Sequence, residues 1–399
     1  MTSTSSRFSV QQRTIDVPSS RRRRVVVFGA ATAITGIGAL ALGMWLGGNL
    51  TESQINGLAI GGTGNFTGWG LPASKLVMDV ASIGVIGLLL ACLLLPEHDG
   101  EPTATARRCL RTASRLALVW SVATAALLIF SWSDVVARPV TDLPFTKLFT
   151  DTVRTFPDAA DYVSTTALAL VIAAALAITQ TRRGALLLLP LAVYNIVPMA
   201  LQGHASHSTA LKYSLIVHVI AMSLWVGGLL ALLTHVRGEP ALLAVAVPRF
   251  SSIALGCYAT VAASGVVAAW ELLGAVSAVW ETRYGVVVTL KVAALITLGI
   301  LGWWHRRHTV RRIRTGEGGR PRRAFVQLAA AEIVVMVGAV AIGVALSRSA
   351  SPDTILLHTE RGTTASVERP APAPGTDSGL RVAAPSGQGA GGATGTRTP

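Results

Sequence analysis

The chain has 399 residues, of which 51% are hydrophobic and only 14% charged, with a mean hydropathy of +0.54. That charged share is roughly half the usual one; it excludes a disordered chain, a collagen and a disulfide scaffold, and argues against a soluble enzyme. A net charge of +14 would suggest a nucleic-acid partner in a soluble protein, but here the basic residues concentrate in alternate loops, so no nucleic acid is expected. The expected fold class is all-α: a polytopic membrane helix bundle in a lipid bilayer.

Residues 1–24 form a basic N-terminal segment that ends in Arg21, Arg22, Arg23 and Arg24. The membrane bundle follows at 25–346. A span needs about 20 mostly apolar residues to cross ~30 Å of hydrocarbon. Nine stretches qualify: 25–46, 72–95, 116–133, 162–180, 184–202, 213–235, 250–270, 284–304 and 324–346. The first could be a signal peptide cleaved near Ala39-Leu40-Ala41, but its apolar run is long for that role and an uncleaved helix is the preferred reading. With the N-terminus inside, 22 of the 34 Lys and Arg residues fall in cytoplasmic segments, including the dense run from Arg306 to Arg323. The positive-inside rule then places the C-terminus outside. In the outer loop 134–161, Phe145, Leu148, Phe149, Val153 and Phe156 recur at helical spacing. They predict an amphipathic helix that rests on the outer interface or packs on neighbouring helices. Residues 347–399 read as a disordered Pro/Gly/Thr-rich tail. Cys92 and Cys257 lie in apolar stretches and Cys109 in a basic cytoplasmic loop, so no disulfide is expected.

Three charged residues are placed deep inside spans: Asp79, Lys291 and Glu332. Charge at that depth is costly and marks a functional position or a neutralised pair. Asp79 and Lys291 each lie about 10 Å below the outer surface by helical rise, which makes Lys291 the first partner to consider for Asp79. Glu332 lies deeper, with Met336 one turn along the same face.

Of eight histidines, His98, His235, His305 and His308 fall on the cytoplasmic side among arginines, and His358 in the tail. His204 and His207, in GHASHSTALK, and His218, in the sixth span, converge on the outer side. Met222 and Trp225 share the helical face of His218, Met199 precedes His204, and Met78 adjoins Asp79. Imidazole and thioether suit copper, thioether favouring the reduced ion. The candidate metal ligands are His204, His207, His218, Met222 and Met199; packing is the alternative for each methionine, and Trp225 is expected to pack. Pro190 and Pro198 interrupt the fifth span around Asn195. They predict an irregular helix beside a pocket that opens to the outside. There is no P-loop, nucleotide fingerprint or CxxC pair, and no enzymatic activity is expected.

Several stretches resemble the copper resistance protein D family. The stretch RFSSIALGCYATVAASGVVAAW, the ETRYGVVVTLK segment ending in Lys291, the basic WWHRRHTVRR loop and the helix carrying Glu332 are similar to its conserved domain, at 245–346. Upstream, GHASHSTALKYSLIVHVIAMSLWVGGLLALLTH resembles the histidine-bearing helix before that domain. FTGWGLPASKLVMDVASIGVIGLLL and SWSDVVARPV resemble the N-terminal half of actinobacterial members. The resemblance implies copper transport or resistance at the bacterial cytoplasmic membrane, with copper as substrate or bound ion. It carries over His204, His218, Trp225, Tyr284, Gly285, Lys291 and Glu332 as landmarks. Many relatives continue into a second half similar to a cytochrome c oxidase assembly factor, which this chain lacks.

Besides a membrane protein whose polar residues only organise packing, two readings compete with a permease. One is an assembly factor that presents copper to a respiratory oxidase, working with an extracellular chaperone or oxidase assembly protein. The other is a haem-binding membrane protein, for which His218 lacks an evident second axial histidine.

Overall fold

The computed structural model describes Gly38 and residues 54–55, 58–59, 64–136, 138–143, 158–202, 208–273, 278–281, 283–304, 307 and 320–346. Apart from Gly38, the predicted first span lies outside the described residues. So do the amphipathic segment 145–156, the loop histidines His204 and His207, most of the basic run 306–323, and the tail 347–399.

A two-residue hairpin, β1 (Gln54–Ile55) with β2 (Leu58–Ala59), precedes the first long helix. The helices are α1 (Gly64–Leu94), α2 (Ala104–Val135), α3 (Ala159–Ile178), α4 (Arg182–Asn195), the single turn α5 (Val197–Ala200), α6 (Thr209–Ala231), α7 (Pro240–Leu273), the short α8 (Ala278–Glu281), α9 (Arg283–Trp304) and α10 (Arg320–Leu346). A π-helical turn, Leu232–Val236, extends α6. Six of these segments are long and apolar enough to cross a membrane: Phe66–Leu94, Ala104–Val135, Ala159–Ile178, Arg182–Ala200, Thr209–Val236 and Pro240–Glu271. Shorter apolar stretches, Val288–Trp304 and Val326–Val340, lie within α9 and α10. The chain is therefore a polytopic helical membrane protein. The described residues hold eight of the nine expected spans as helices, two of them over a shorter apolar length.

Helix α1 sits at the centre and packs against α2, α4 and α6. Its small residues make this possible. The backbones of Gly87 on α1 and Gly227 on α6 are in direct contact, so that a Cβ on either glycine would strike the other helix. Small residues at a crossing are the usual device for close helix association in lipid, where apolar side chains gain little from leaving an equally apolar solvent. Hydroxyls tie the next layer: Ser114 Oγ donates to the Ala173 carbonyl at 2.8 Å and Ser121 Oγ to the Thr166 carbonyl at 2.9 Å, both joining α2 to α3. Ser131 and Tyr162 extend this seam with a 3.2 Å contact between hydroxyls.

Helix α2 corrects one expectation. Residues 104–115, placed by the sequence in a cytoplasmic loop, are its first three turns, and Cys109 is fully buried at 0% exposure. The reason is a capped amphipathic start. The Thr103 side chain accepts from Ala106 N at 3.2 Å, and Ala106, Cys109, Leu110, Ala113 and Ala117 fall on one buried face with arginines on the other. Helix α7 likewise starts at Pro240, ahead of the predicted 250. Cys92, Cys109 and Cys257 are buried free thiols.

The connection from α1 to α2 is a tight hairpin of β3 (Glu97–His98) and β4 (Glu101–Pro102). Asp99 and Gly100 both have positive φ, 51° and 78°, as its two-residue turn requires. At this end Arg182 donates to the Leu93 carbonyl at 3.0 Å and Arg249 to the Leu94 carbonyl at 2.9 Å, satisfying the last turn of α1. Arg108 meets Glu239 at 2.6 Å, and Thr105 also donates to that carboxylate, locking the start of α2 to the start of α7.

Pro190 lies inside α4 without ending it; the helix stops at Asn195, and Pro198 stands in the first turn of α5. Asn195 is buried and donates from Nδ2 to the Thr165 carbonyl at 3.1 Å. The break is thus held by a neighbouring helix, one of the two ways such an interruption is tolerated in lipid.

Candidate functional site

Helix α6 presents Ser214, His218, Met222 and Trp225 at successive helical turns, a single stripe that runs down one face. Helix α7, which packs along α6, answers with Tyr258, Val261, Ser264 and Gly265. At the top of this seam, Ser214 Oγ donates to the Ser264 carbonyl at 2.7 Å. At its lower end, Trp225 and Tyr258 meet edge to face, with ring centroids 5.5 Å apart at 88°. The Tyr258 hydroxyl reaches onward to the Leu295 carbonyl of α9 at 3.4 Å and lies against Gly299.

Between these two contacts sits His218. Its Nδ1 lies 3.0 Å from Ser264 Oγ. Ser264 carries one hydroxyl proton, and its Oγ donates that proton to the Thr260 carbonyl at 2.6 Å. The serine oxygen is therefore the acceptor in its contact with the ring, and Nδ1 carries the hydrogen. A neutral imidazole with Nδ1–H has its lone pair on Nε2. With the Ser264 hydroxyl proton on the Thr260 carbonyl, Ser264 favours the Nδ1–H form and leaves Nε2 as the candidate ligating atom, the arrangement by which outer partners orient metal-binding histidines. Gly265 lies beside the ring, where a Cβ would make ordinary contact with His218 Cε1 at 3.9 Å.

The charged residues distribute differently from the expected pairing. No ion pair among the described residues joins Asp79 to Lys291. Lys75 stands one turn before Asp79 on α1. Lys75 falls within the expected span 72–95, near its outer end; the helix starts earlier, at Gly64. Helices α1 and α6 run in the same direction and touch at Gly87 and Gly227. Asp79 and His218 lie eight and nine residues from that crossing, about 12–14 Å along their helices. They therefore belong to one layer of the bundle.

Glu332 is buried at 4% exposure on α10, with Met336 buried one turn along. Met199 is buried on α5 within the hydrophobic core, and Met222 packs partly buried against that core. His204 and His207 lie outside the described residues, as does any statement about the side chain of Tyr284. Among the described residues no group of three His, Cys, Asp or Glu is placed to hold a metal ion. Ser264 and Ser214 were missed by the sequence reading, which searched for ligands and charges. The detectable signal was their register, since each faces His218 or its neighbour only once α6 and α7 are paired.

Comparison with known proteins matches the chain on both sides of residues 215–243, the stretch that carries His218, Met222 and Trp225. The family model described as copper resistance protein D matches residues 244–346, and that described as copper resistance protein D-like, N-terminal domain, matches residues 66–214. No curated protein and no solved structure matches significantly. The first match covers α7, with Ser264, and the α9 and α10 helices that carry Lys291 and Glu332; the second runs from the start of α1 into α6. Two adjacent modules of one family, in family order and flanking the His218 seam, make the chain a member of the copper resistance protein D family.

Proposed function

We propose that this multi-pass protein of the bacterial cytoplasmic membrane moves copper from its outer face into the bundle, with Nε2 of His218 as the intramembrane ligand. The observation that carries the reading is the contact of His218 Nδ1 with Ser264 Oγ at 3.0 Å, which leaves Nε2 outside that bond. His204 and His207 take copper at the outer mouth, and Met199 and Met222 supply thioethers suited to the reduced ion. Lys291 limits how tightly a cation is held at His218, because its field opposes a second positive charge. A carrier that must release its cargo benefits from that opposition. Asp79 shares the layer of His218, and Glu332 stands on the far side as the exit group. The N-terminus is inside, and the protein has no enzymatic activity of its own.

The test is a copper(I) competition titration on detergent-purified protein, paired with copper uptake into vesicles. His218→Ala is expected to weaken binding at least tenfold and to stop uptake. Glu332→Ala is expected to leave binding unchanged and to slow uptake. Unchanged binding in His218→Ala would overturn the ligand assignment; unchanged uptake in Glu332→Ala would favour an assembly factor that presents copper at the outer face without passing it inward.

A further inference from the structure

The end of the bundle that carries Arg108 and Glu239 holds a second feature that copper handling does not use. Arg107, Arg111 and Arg115 project at four-residue intervals from α2, and a groove of about 460 Å³ opens along them against Ala177 and Gln180 at the end of α3. Ser114 forms its floor and is tied to α3 through the Ala173 carbonyl. The guanidiniums are largely uncompensated among the described residues. Arg107 has Glu101 at 3.9 Å, Arg111 donates from Nε to the Arg107 carbonyl at 3.4 Å, and Arg115 makes no ion pair. None of the three caps the exposed end of α3; Gln180 does that itself, donating to the Leu176 carbonyl at 2.6 Å.

The same face of α2 then changes character. Leu118 and Val122 continue the stripe at the next turns, 50% and 63% exposed, and Ile178 beside the groove is 81% exposed. A face that runs from Arg111 and Arg115, which make no ion pair among the described residues, into bare aliphatic side chains matches a ligand with an anionic head and an apolar tail. A soluble anion would leave the lower half of the stripe unused, and a neutral lipid would leave the upper half unpaired. Arginine suits the role because its planar fork binds phosphate oxygens two at a time. We infer that this groove between α2 and α3 is a binding site for an anionic phospholipid, its phosphate held by Arg111 and Arg115 and its acyl chain lying along Leu118 and Val122.

Full-length protein in neutral detergent would be followed by thermal unfolding and by native mass spectrometry while phosphatidylglycerol, phosphatidylcholine or inorganic phosphate is added. Phosphatidylglycerol is expected to raise the unfolding temperature and to be retained in the gas phase, whereas phosphatidylcholine and millimolar phosphate have neither effect. The Arg111→Gln/Arg115→Gln variant is expected to weaken phosphatidylglycerol binding at least tenfold. Ala177→Phe, which fills the groove and keeps every charge, should do the same even where the double variant folds poorly. Arg183→Gln/Lys212→Gln, which removes two charges outside the groove, should bind as the wild type does. Equal stabilisation by phosphatidylcholine would overturn anion recognition, and an equal effect of phosphate alone would overturn the lipid. Equal loss in the Arg183/Lys212 variant would reduce the effect to bulk charge and overturn the site.

Discussion

Replacing Ser264 by alanine separates orientation of His218 from its mere presence. The substitution deletes only the hydroxyl: Ser214 Oγ still reaches the residue 264 carbonyl, since that bond uses backbone, and Thr260 keeps its place in the α7 ladder. The cost to the fold is therefore small, about 1 kcal/mol or less for one intramembrane hydrogen bond. The cost to metal binding is larger. Without the acceptor at 3.0 Å, the ring is free to rotate and to place its proton on either nitrogen. Loss of an outer partner of this kind lowers metal affinity about 10–100-fold, or about 1.4–2.7 kcal/mol. Copper(I) affinity of Ser264→Ala would be measured by competition with a chromophoric chelator, beside His218→Ala and Ser264→Thr. Thermal unfolding would be recorded on the same samples. The expected order is wild type and Ser264→Thr together, Ser264→Ala 10–100-fold weaker, and His218→Ala weakest. Nitrogen-15 shifts of His218 should report a single Nδ1–H form in the wild type and a mixture in Ser264→Ala. If Ser264→Ala bound copper within twofold of wild type while His218→Ala lost it, the tautomer argument would fail. If its affinity loss merely tracked a large fall in unfolding temperature, the role of Ser264 would be structural.

Other expectations follow from the same geometry. Lys291→Met should tighten copper(I) binding and slow its release, because the opposing charge beside His218 is gone; stopped-flow transfer to a chelator checks the sign. Gly87→Ala and Gly227→Ala should each destabilise the bundle by about 1–3 kcal/mol or more, since the contact is backbone on backbone and neither side can swing away; unfolding in detergent measures it. Glu239→Gln should cost only about 0.2–1 kcal/mol despite its 2.6 Å contact with Arg108, because the two side chains are 43% and 53% exposed. That small effect should shrink further in high salt.

Hydropathy was sufficient to place the helices of the bundle, because in lipid each spanning helix must satisfy its own backbone and so carries its length in its own residues. The family was legible for a related reason: its landmarks, from the start of α1 to Glu332, are local strings whose order survives without coordinates. Helix ends were less legible. Residues 104–115 carry four arginines and looked like a loop, yet their alanines, Cys109 and Leu110 line one face that only a neighbouring helix can reveal as buried. Polar partners were least legible of all. Helical rise put Asp79 and Lys291 at similar depth, but depth does not fix rotation, and no ion pair among the described residues joins them. Ser264 is the clearest instance. As one small hydroxyl in an apolar run it carries no signal of its own, and it becomes the residue that sets the proton of His218 only when α7 lies against α6 in this register. Segment identity is a property of the chain read one residue after another, whereas a hydrogen bond between residues 46 positions apart exists only in the packed bundle.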